Sequence, residues 1–130
     1  MNANDLAGCL VKHNLKWFLF QQNNSGGYFD VDNKVCHRVF IQATNASEAE
    51  DIAEGLGIYF NGVDNGNDCG CCGDRWSSAD IVELPVKYFG AIELTTIEEY
   101  AQYLADTYGS TTPDGRLFYK NGNVVDVNIQ

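Results

Sequence analysis

Three of the five cysteines in the sequence lie within four positions, in the segment NDCGCCGDRW at residues 67–76. Cys69 and Cys72 have the C-x-x-C spacing and are followed by Gly73, a pattern in which two thiolates converge on one ion in structural zinc sites. A tetrahedral zinc ion needs four ligands, so at least one must come from outside this segment. The sequence predicts a structural zinc clasp whose candidate ligands are the clustered thiols and two residues of a predicted strand: Cys69, Cys71, Cys72, Cys36 and His37.

The same thiols allow other chemistries. A thioredoxin-like redox pair needs its first cysteine at a helix N-terminus after a strand, and the polar run before Cys69 argues against that. A disulfide between Cys71 and Cys72 would be strained, and unmetallated, inert thiols are the simplest alternative. Cys9 and His13, spaced i and i+4, form a second candidate metal pair. Because the sequence has no H-E-x-x-H or comparable catalytic motif, any metal is expected to be structural.

Asp74, Arg75 and Trp76 follow the cysteines directly and allow two interpretations. In the first, Trp76 fills the core beneath the clasp, while Asp74 pairs with Arg75 or caps a turn. This interpretation is favoured, because a buried tryptophan usually serves packing. In the second, the three residues form a recognition tip, where Arg75 holds a carboxylate or phosphate and Trp76 stacks on a ring.

The segment NNSGG at residues 23–27 is a turn-forming stretch whose backbone amides could wrap an anion. A plain hairpin loop is the more common role of such a sequence. If the loop binds a ligand, basic and aromatic residues elsewhere in the chain are its natural partners. The predicted ligand contacts are Asn23, Asn24, Ser25, Gly26, Gly27, Arg38, Arg75 and Trp76.

The charge of the chain limits its partners. Its 130 residues include 18 acidic and 8 basic side chains, for a formal net charge of −10. General binding to nucleic acid needs a Lys/Arg footprint, so this charge argues against it. No stretch reaches the ~20 apolar residues of a membrane-spanning helix, and the odd, crowded cysteines favour a reducing cytoplasm over secretion. The length predicts a single domain over residues 1–130.

Hydrophobic periodicity predicts an α+β fold, a mainly antiparallel β-sheet covered by two amphipathic helices, with a cysteine-rich loop. The helices are TNASEAEDIAEGLGI at 44–58, capped by Asn45 or Ser47, and IEEYAQYLADTYG at 97–109, capped by Thr95 or Thr96. A shorter helix is predicted over 4–15. Strands are predicted over 16–22, 28–31, 34–43 and 58–63, with an extended segment at 81–90 and a hairpin over 116–129 that turns at Asn121-Gly122.

Three segments taken together, KWFLFQQNNSGGYF, EAEDIAEGLGIYFNGV and DCGCCGDRW, resemble a family of small uncharacterised proteins encoded by tailed bacteriophages. The shared pattern is an aromatic strand, NNSGG, an Ala/Glu-rich helix ending in GIYF, and C-x-C-C-G-D-R-W. Family members often have proline where this chain has Gly70. The resemblance implies a phage origin and expression in the cytoplasm of a host bacterium, and it implies no catalytic residue.

Three classes of function follow from these observations. The first, which the sequence favours, is a non-catalytic phage binding protein that captures a small anionic or nucleotide-like signal or blocks a host protein, with counter-defence as its expected role. The second is a small enzyme that cleaves a phosphodiester, with acid–base groups drawn from His13, His37, Asp30, Asp32 and Asp74. The third is an acidic protein–protein inhibitor without a small ligand. A homodimer is compatible with a binder of this size.

Overall fold

The computed structural model describes residues 14–130. The predicted helix over 4–15 lies almost wholly outside this range, and Cys9 and His13 lie outside it. The described strands are, in chain order, β1 (Lys16–Gln21), β2 (Arg38–Ala43), β3 (Asp80–Val82), β4 (Val86–Tyr88), β5 (Ile92–Leu94), β6 (Gly115–Phe118) and β7 (Val124–Val127). The described helices of two turns or more are α1 (Ala46–Gly55) and α2 (Ile97–Tyr108).

Five strands form one sheet in the order β3-β1-β2-β6-β7. The β2–β6 pair is parallel, and the other three pairs are antiparallel. The remaining strands, β4 and β5, form a separate two-stranded hairpin. The sheet is therefore mainly antiparallel, as predicted, with β2 at its centre between β1 and β6.

The two helices cover opposite faces of the sheet. Successive side chains of a strand point to opposite faces, so Phe18 and Phe20 share a core with α1, while Trp17 and Leu19 share a core with α2. Burial on both faces explains why KWFLFQ is almost continuously apolar instead of alternating with polar residues. The predicted α+β fold, with a mainly antiparallel sheet and two amphipathic helices, is confirmed.

Both helices begin at the predicted caps. The Asn45 side chain accepts a hydrogen bond from the backbone N–H of Glu48 at 2.8 Å, and Thr96 Oγ1 accepts one from Glu99 at 3.2 Å. Each cap satisfies a backbone donor that the first turn of a helix leaves unpaired. Small residues such as Ala49 then bring the helices close to the sheet.

Two predicted strands are loops in the structure. At 28–31, the side chain of Gln22 takes the place of a neighbouring strand: its Oε1 accepts from Asp30 N–H at 2.8 Å, and its Nε2 donates to Asp30 O at 2.7 Å. At 58–63, backbone groups form hydrogen bonds within the same loop instead of with a neighbouring strand. For example, Asn65 N–H donates to Asn61 O at 3.0 Å. The predicted strand over 34–43 begins only at Arg38, because Asp32 Oδ1 accepts from Val35 N–H at 2.7 Å and holds a turn there.

The C-terminal hairpin does not have the type I′ turn expected at Asn121-Gly122. The C-terminal hairpin is present, but its turn bond joins Gly122 N–H to Tyr119 O at 3.0 Å, so Lys120 and Asn121 are the central residues. Central residues with positive φ, as in a type I′ turn, occur instead between β4 and β5, at Phe89 (φ 55°) and Gly90 (φ 69°). Phenylalanine is an unusual residue in that conformation.

No helix of residues 14–130 is both long enough and apolar enough to cross a membrane.

Candidate functional site

A groove of about 490 Å³ opens where β1 ends, and three separate segments line it. The segment after the cysteines continues the ladder of β1: Asn23 N–H donates to Arg75 O at 2.8 Å, and Ser77 N–H donates to Gln21 O at 2.9 Å. The end of β1 is the first wall of the groove, and this pairing positions residues 74–78 as the second wall. The loop after α1, with Phe60 and Asn61, is the third wall. The lining residues are Gln21, Gln22, Asn23, Phe60, Asn61, Asp74, Arg75, Trp76, Ser77 and Ser78.

Hydrogen bonds fix the walls to one another. The Asn23 side-chain amide donates to Asp74 O and, at 3.4 Å, to Cys72 O. On the opposite side, Asp74 Oδ1 accepts from Val63 N–H at 2.9 Å. Asn61, whose side chain is exposed, has positive φ (56°) in the third wall. The groove is thus built from tied loops, and its exposed polar groups are amides, hydroxyls and one carboxylate.

Arg75 lines the groove, but its guanidinium points into the protein. Nη1 donates to Tyr28 O and Nη2 to Ser25 O, both at 2.8 Å, and the guanidinium carbon lies 4.4 Å from the centre of the Tyr28 ring. Nε lies 3.3 Å from Asp30 Oδ2 without hydrogen-bond geometry. Arg75 therefore braces the segment from Ser25 to Asp30, and its positive charge interacts with groups inside the protein instead of facing the groove.

Trp76 is 4% exposed and belongs to the core that α1 covers, with Phe20 among its members. This is the packing arrangement that the sequence favoured for this tryptophan. Trp76 and Arg75 both border the groove with Asn23, so three predicted ligand contacts meet there. Their binding role stays a prediction.

The rest of NNSGG lies beside the groove and does not line it. Gly27 N–H donates to Asn24 O at 2.7 Å, which closes a short 3-10 turn over Ser25–Gly27. Gly26 and Gly27 have φ of 73° and 86°, a conformation that glycine adopts without steric penalty. Ser25 is buried, and its carbonyl oxygen accepts the hydrogen bond from Arg75 Nη2. This turn presents Asn24, Gly26 and Gly27 to solvent.

Arg38, His37 and Cys36 meet around a residue that the sequence interpretation missed, Asp114. Arg38 Nη1 donates to Asp114 Oδ2 at 2.8 Å, and His37 Nδ1 lies 2.9 Å from Asp114 Oδ1. Because an ionised carboxylate only accepts, Nδ1 is the protonated nitrogen of His37. Asp114 is fully buried, and nothing in TTPDG marks it as the centre of an ion-pair cluster.

The electrostatics of this cluster follow from its contacts. Burial opposes ionisation of Asp114, but hydrogen bonds from His37 and Ser110 N–H and the charge of Arg38 outweigh it and lower its pKa. Cys36 Sγ lies 3.4 Å from the carbonyl oxygens of Arg38 and Asp114, and burial raises its pKa to about 12.

The three loop thiols are exposed and lie on one turn. Cys69 Sγ is 2.7 Å from Cys71 Sγ, which is 3.6 Å from Cys72 Sγ. The N–H groups of Cys72 and Gly73 both donate to Cys69 O at 3.2 Å. The contact with the Cys71 side chain, together with the backbone N–H groups of Cys71 and Cys72, lowers the pKa of Cys69. The side-chain contacts with Cys69 and Cys72 raise the pKa of Cys71 to about 11.

A metal site requires several ligands arranged around one point. Within residues 14–130, no group of three or more His, Cys, Asp or Glu side chains has such an arrangement. Two of the predicted ligands, Cys36 and His37, are engaged around Asp114. Structural zinc stays a prediction that only the sequence pattern supports.

Asp68 anchors the cysteine turn to the groove and was also missed. Its Oδ1 accepts from Tyr59 OH at 2.8 Å, and its Oδ2 accepts from Arg75 N–H at 2.9 Å. A Cβ on Gly62 would lie 1.8 Å from Asp68 Oδ2, so this close approach requires glycine at position 62. Among the acid–base groups considered for an enzyme, three of those within residues 14–130 lie apart: His37 faces Asp114, Asp30 faces Arg75, and Asp74 is in the groove.

Comparison with known proteins assigns the chain to a family. The family model of a domain of unknown function, DUF7296, matches residues 15–129. No curated protein and no solved structure matches the chain. The match covers the sheet, both described helices, the groove and the cysteine turn, and the chain therefore belongs to the DUF7296 family.

Proposed function

We propose that this protein is a non-catalytic binding protein whose groove takes the base and sugar of a nucleotide-like ligand. The observation that carries the proposal is the groove itself, in which amide, hydroxyl and aromatic groups from three chain segments converge. Ligand sites are typically concave, with apolar walls and a few placed polar groups. The exposed polar groups here are neutral except for Asp74.

The chemistry of the walls suits a nucleoside. Exposed amides such as that of Asn61 can donate to and accept from the edge of a base, and the carboxylate of Asp74 can accept from sugar hydroxyls. Phe60, which packs 5.9 Å from Phe20, supplies an aromatic surface of the kind on which bases stack.

The same walls do not suit a phosphate. Arg75 is the cation among the lining residues, and its guanidinium N–H groups donate to Ser25 and Tyr28. Arg38 is likewise paired with Asp114. We therefore place any phosphate of the ligand in solvent at the rim of the groove. The anion-wrapping role considered for NNSGG is not part of the proposal.

The biological setting of the proposal rests on the resemblance to phage proteins. We propose that the protein acts in the cytoplasm of an infected bacterium and sequesters a nucleotide-like signal of the host. Sequestration needs affinity and no chemistry, which fits the dispersal of the candidate acid–base groups.

Titration of nucleosides and their 5′-monophosphates by calorimetry tests this proposal. At least one nucleoside is expected to bind, with its monophosphate within about threefold in affinity, because a rim phosphate in solvent adds little. Asn61→Gly is expected to weaken binding about tenfold, the effect of one lost hydrogen bond. Glycine tolerates the positive φ at this position, so the variant should fold normally.

Asn67→Ala is the matched control, since Asn67 is exposed in the same loop and does not line the groove. Equal affinity of wild type and Asn61→Gly, or no nucleoside binding at all, would contradict the proposal. Incubation of the protein with a dinucleotide, which contains a phosphodiester bond, followed by chromatography reports turnover, and a hydrolysed product would favour the phosphodiester-cleaving enzyme instead.

A second candidate function, blocking a host protein, is favoured by Phe89. This residue is 97% exposed at the tip of the β4–β5 hairpin, with φ of 55°. An apolar side chain this exposed buries almost no apolar surface within the protein, and residues held in disfavoured backbone conformations cluster at functional sites. Exposed aromatic residues are common anchors of protein interfaces.

Phe89→Asn tests whether Phe89 serves a partner or the fold. Asparagine is favoured at this turn position, so the variant is expected to be equally stable or up to about 1 kcal/mol more stable to urea. It should lose the ability to form a stoichiometric complex that wild type forms with a purified host protein. Lower stability would mean that Phe89 serves the fold. Sedimentation as a dimer that Phe89→Asn abolishes would make the partner a second copy.

A further inference from the structure

The proposed function leaves one reactive cluster unused, the thiols of Cys69, Cys71 and Cys72. All three are exposed on one turn. The 2.7 Å between the sulfurs of Cys69 and Cys71 is much closer to the length of a disulfide bond, about 2.05 Å, than the 3.6 Å between Cys71 and Cys72. Only a small movement separates the first pair from a covalent bond.

The surroundings of the turn agree better with a dithiol than with a zinc clasp. The turn supplies at most three thiolates, and the remote candidates Cys36 and His37 already contact Asp114.

We propose that Cys69 and Cys71 form a reversible disulfide and make this turn a thiol–disulfide exchange site. The substrate class is a low-molecular-weight disulfide, such as the oxidised form of a cellular thiol. In a reducing cytoplasm, protein disulfides are usually transient and catalytic or redox-sensing.

The turn can close this bond without disturbing the fold. Gly70 lies between the two cysteines, and a Cβ placed on it would meet one side chain within 4 Å, that of Val63 at 3.8 Å. The turn is therefore open on that side. Its ends are fixed, because Asp68 is bonded to Tyr59 and Arg75, and Cys72 O accepts from Asn23. The movement needed is confined to residues 69–71.

The exchange consists of two substitutions at sulfur. The thiolate of Cys69 or Cys71 attacks one sulfur of the disulfide R–S–S–R, which forms a mixed disulfide and releases R–S⁻. The other cysteine, as thiolate, then attacks the protein sulfur of the mixed disulfide and releases the second R–S⁻. The two protons lost by the cysteines end on the two leaving thiolates. The protein dithiol is oxidised, and R–S–S–R is reduced to two R–SH.

The test uses the full-length protein, reduced and then incubated with oxidised glutathione, acid-quenched, alkylated and digested with trypsin. The three loop cysteines fall on one tryptic peptide, 39–75, and Cys9 and Cys36 fall on others. This peptide is expected to be lighter by two hydrogens and alkylated only on Cys72, with no fragment ions from cleavage between Cys69 and Cys71. Reduced glutathione should restore the dithiol.

Two variants separate this proposal from its alternatives. Cys72→Ser, the matched control, is expected to form the bond as wild type does. Cys71→Ser should stop at a glutathione adduct on Cys69. The proposal is overturned if the bond joins Cys72 to either neighbour, if wild type yields only glutathione adducts, or if native mass spectrometry finds one zinc ion per chain that blocks alkylation until a chelator removes it.

Discussion

Replacing Asp114 with asparagine is expected to lower the free energy of unfolding by about 3–5 kcal/mol. The carboxylate is fully buried and accepts from Arg38, His37 and the N–H of Ser110. Asparagine keeps the shape but removes the charge and turns a donor toward other donors, so the Arg38 guanidinium is left buried without its counter-charge. In urea unfolding the midpoint should fall sharply, and the thermal midpoint should fall by roughly 10–20 °C.

Asp126→Asn is the matched control for Asp114→Asn. Asp126 also pairs with a buried arginine, Arg116, at 2.6 Å, but its side chain is 49% exposed, and Arg116 keeps a bond to Asp32 O at 2.9 Å. Its loss is therefore expected to be about 1 kcal/mol or less. Equal effects of the two substitutions would mean that the Asp114 cluster has no special role in stability.

The pH dependence of stability provides a second measurement on Asp114. The folded state lowers the pKa of this carboxyl, so its contribution is present above the ordinary value of 3.8 and is lost as pH falls through the folded-state pKa. Wild type should lose stability more steeply than Asp114→Asn below about pH 4, by up to about 1.4 kcal/mol per pH unit. Parallel curves would show that Asp114 does not titrate with folding.

The elements of the fold that local sequence determines were predictable. Strand β1 was predicted from its continuous apolar run, and helices α1 and α2 were predicted from helical periodicity and the caps Asn45 and Thr96. All of these are local signals in the sequence. The strand predictions failed where a side chain replaced a strand partner, as Gln22 does for Asp30. No local pattern distinguishes that arrangement from a sheet edge.

The candidate site was only partly predictable, for a related reason. Asn23, Arg75 and Trp76 were identified from their motifs, but Ser78 joins them through the pairing of residues 75–77 along the end of β1, and Phe60 and Asn61 join them from the loop after α1. The role of Arg75 could not be predicted, because its acceptors are backbone carbonyls, which every residue has. The role of Asp114 could not be predicted either, because its partners are distant in sequence and are brought to it by the parallel β2–β6 pairing.

Replacing Arg75 with lysine is expected to lower the free energy of unfolding by about 2–4 kcal/mol, although the charge is kept. The guanidinium donates to both Ser25 O and Tyr28 O and lies over the Tyr28 ring. A lysine ammonium is a point charge without that fork, so at least one buried carbonyl would lose its donor, at about 1–3 kcal/mol, and part of the cation–π contact would be lost as well. Urea unfolding measures the total, and hydrogen exchange should show faster opening of residues 25–30.

Asp30→Asn calibrates the Arg75 result, since Asp30 touches the same guanidinium but is 45% exposed and lacks hydrogen-bond geometry. Its effect should stay below about 1 kcal/mol. The comparison also decides between the two interpretations of DRW. If Arg75→Lys unfolds at the wild-type urea concentration yet loses nucleoside binding, Arg75 is a recognition group and the brace is unimportant. If stability falls as expected and the folded fraction binds with unchanged affinity, Arg75 supports the structure of the groove without contacting the ligand. The ligand is then bound by the exposed amides and hydroxyls of the groove.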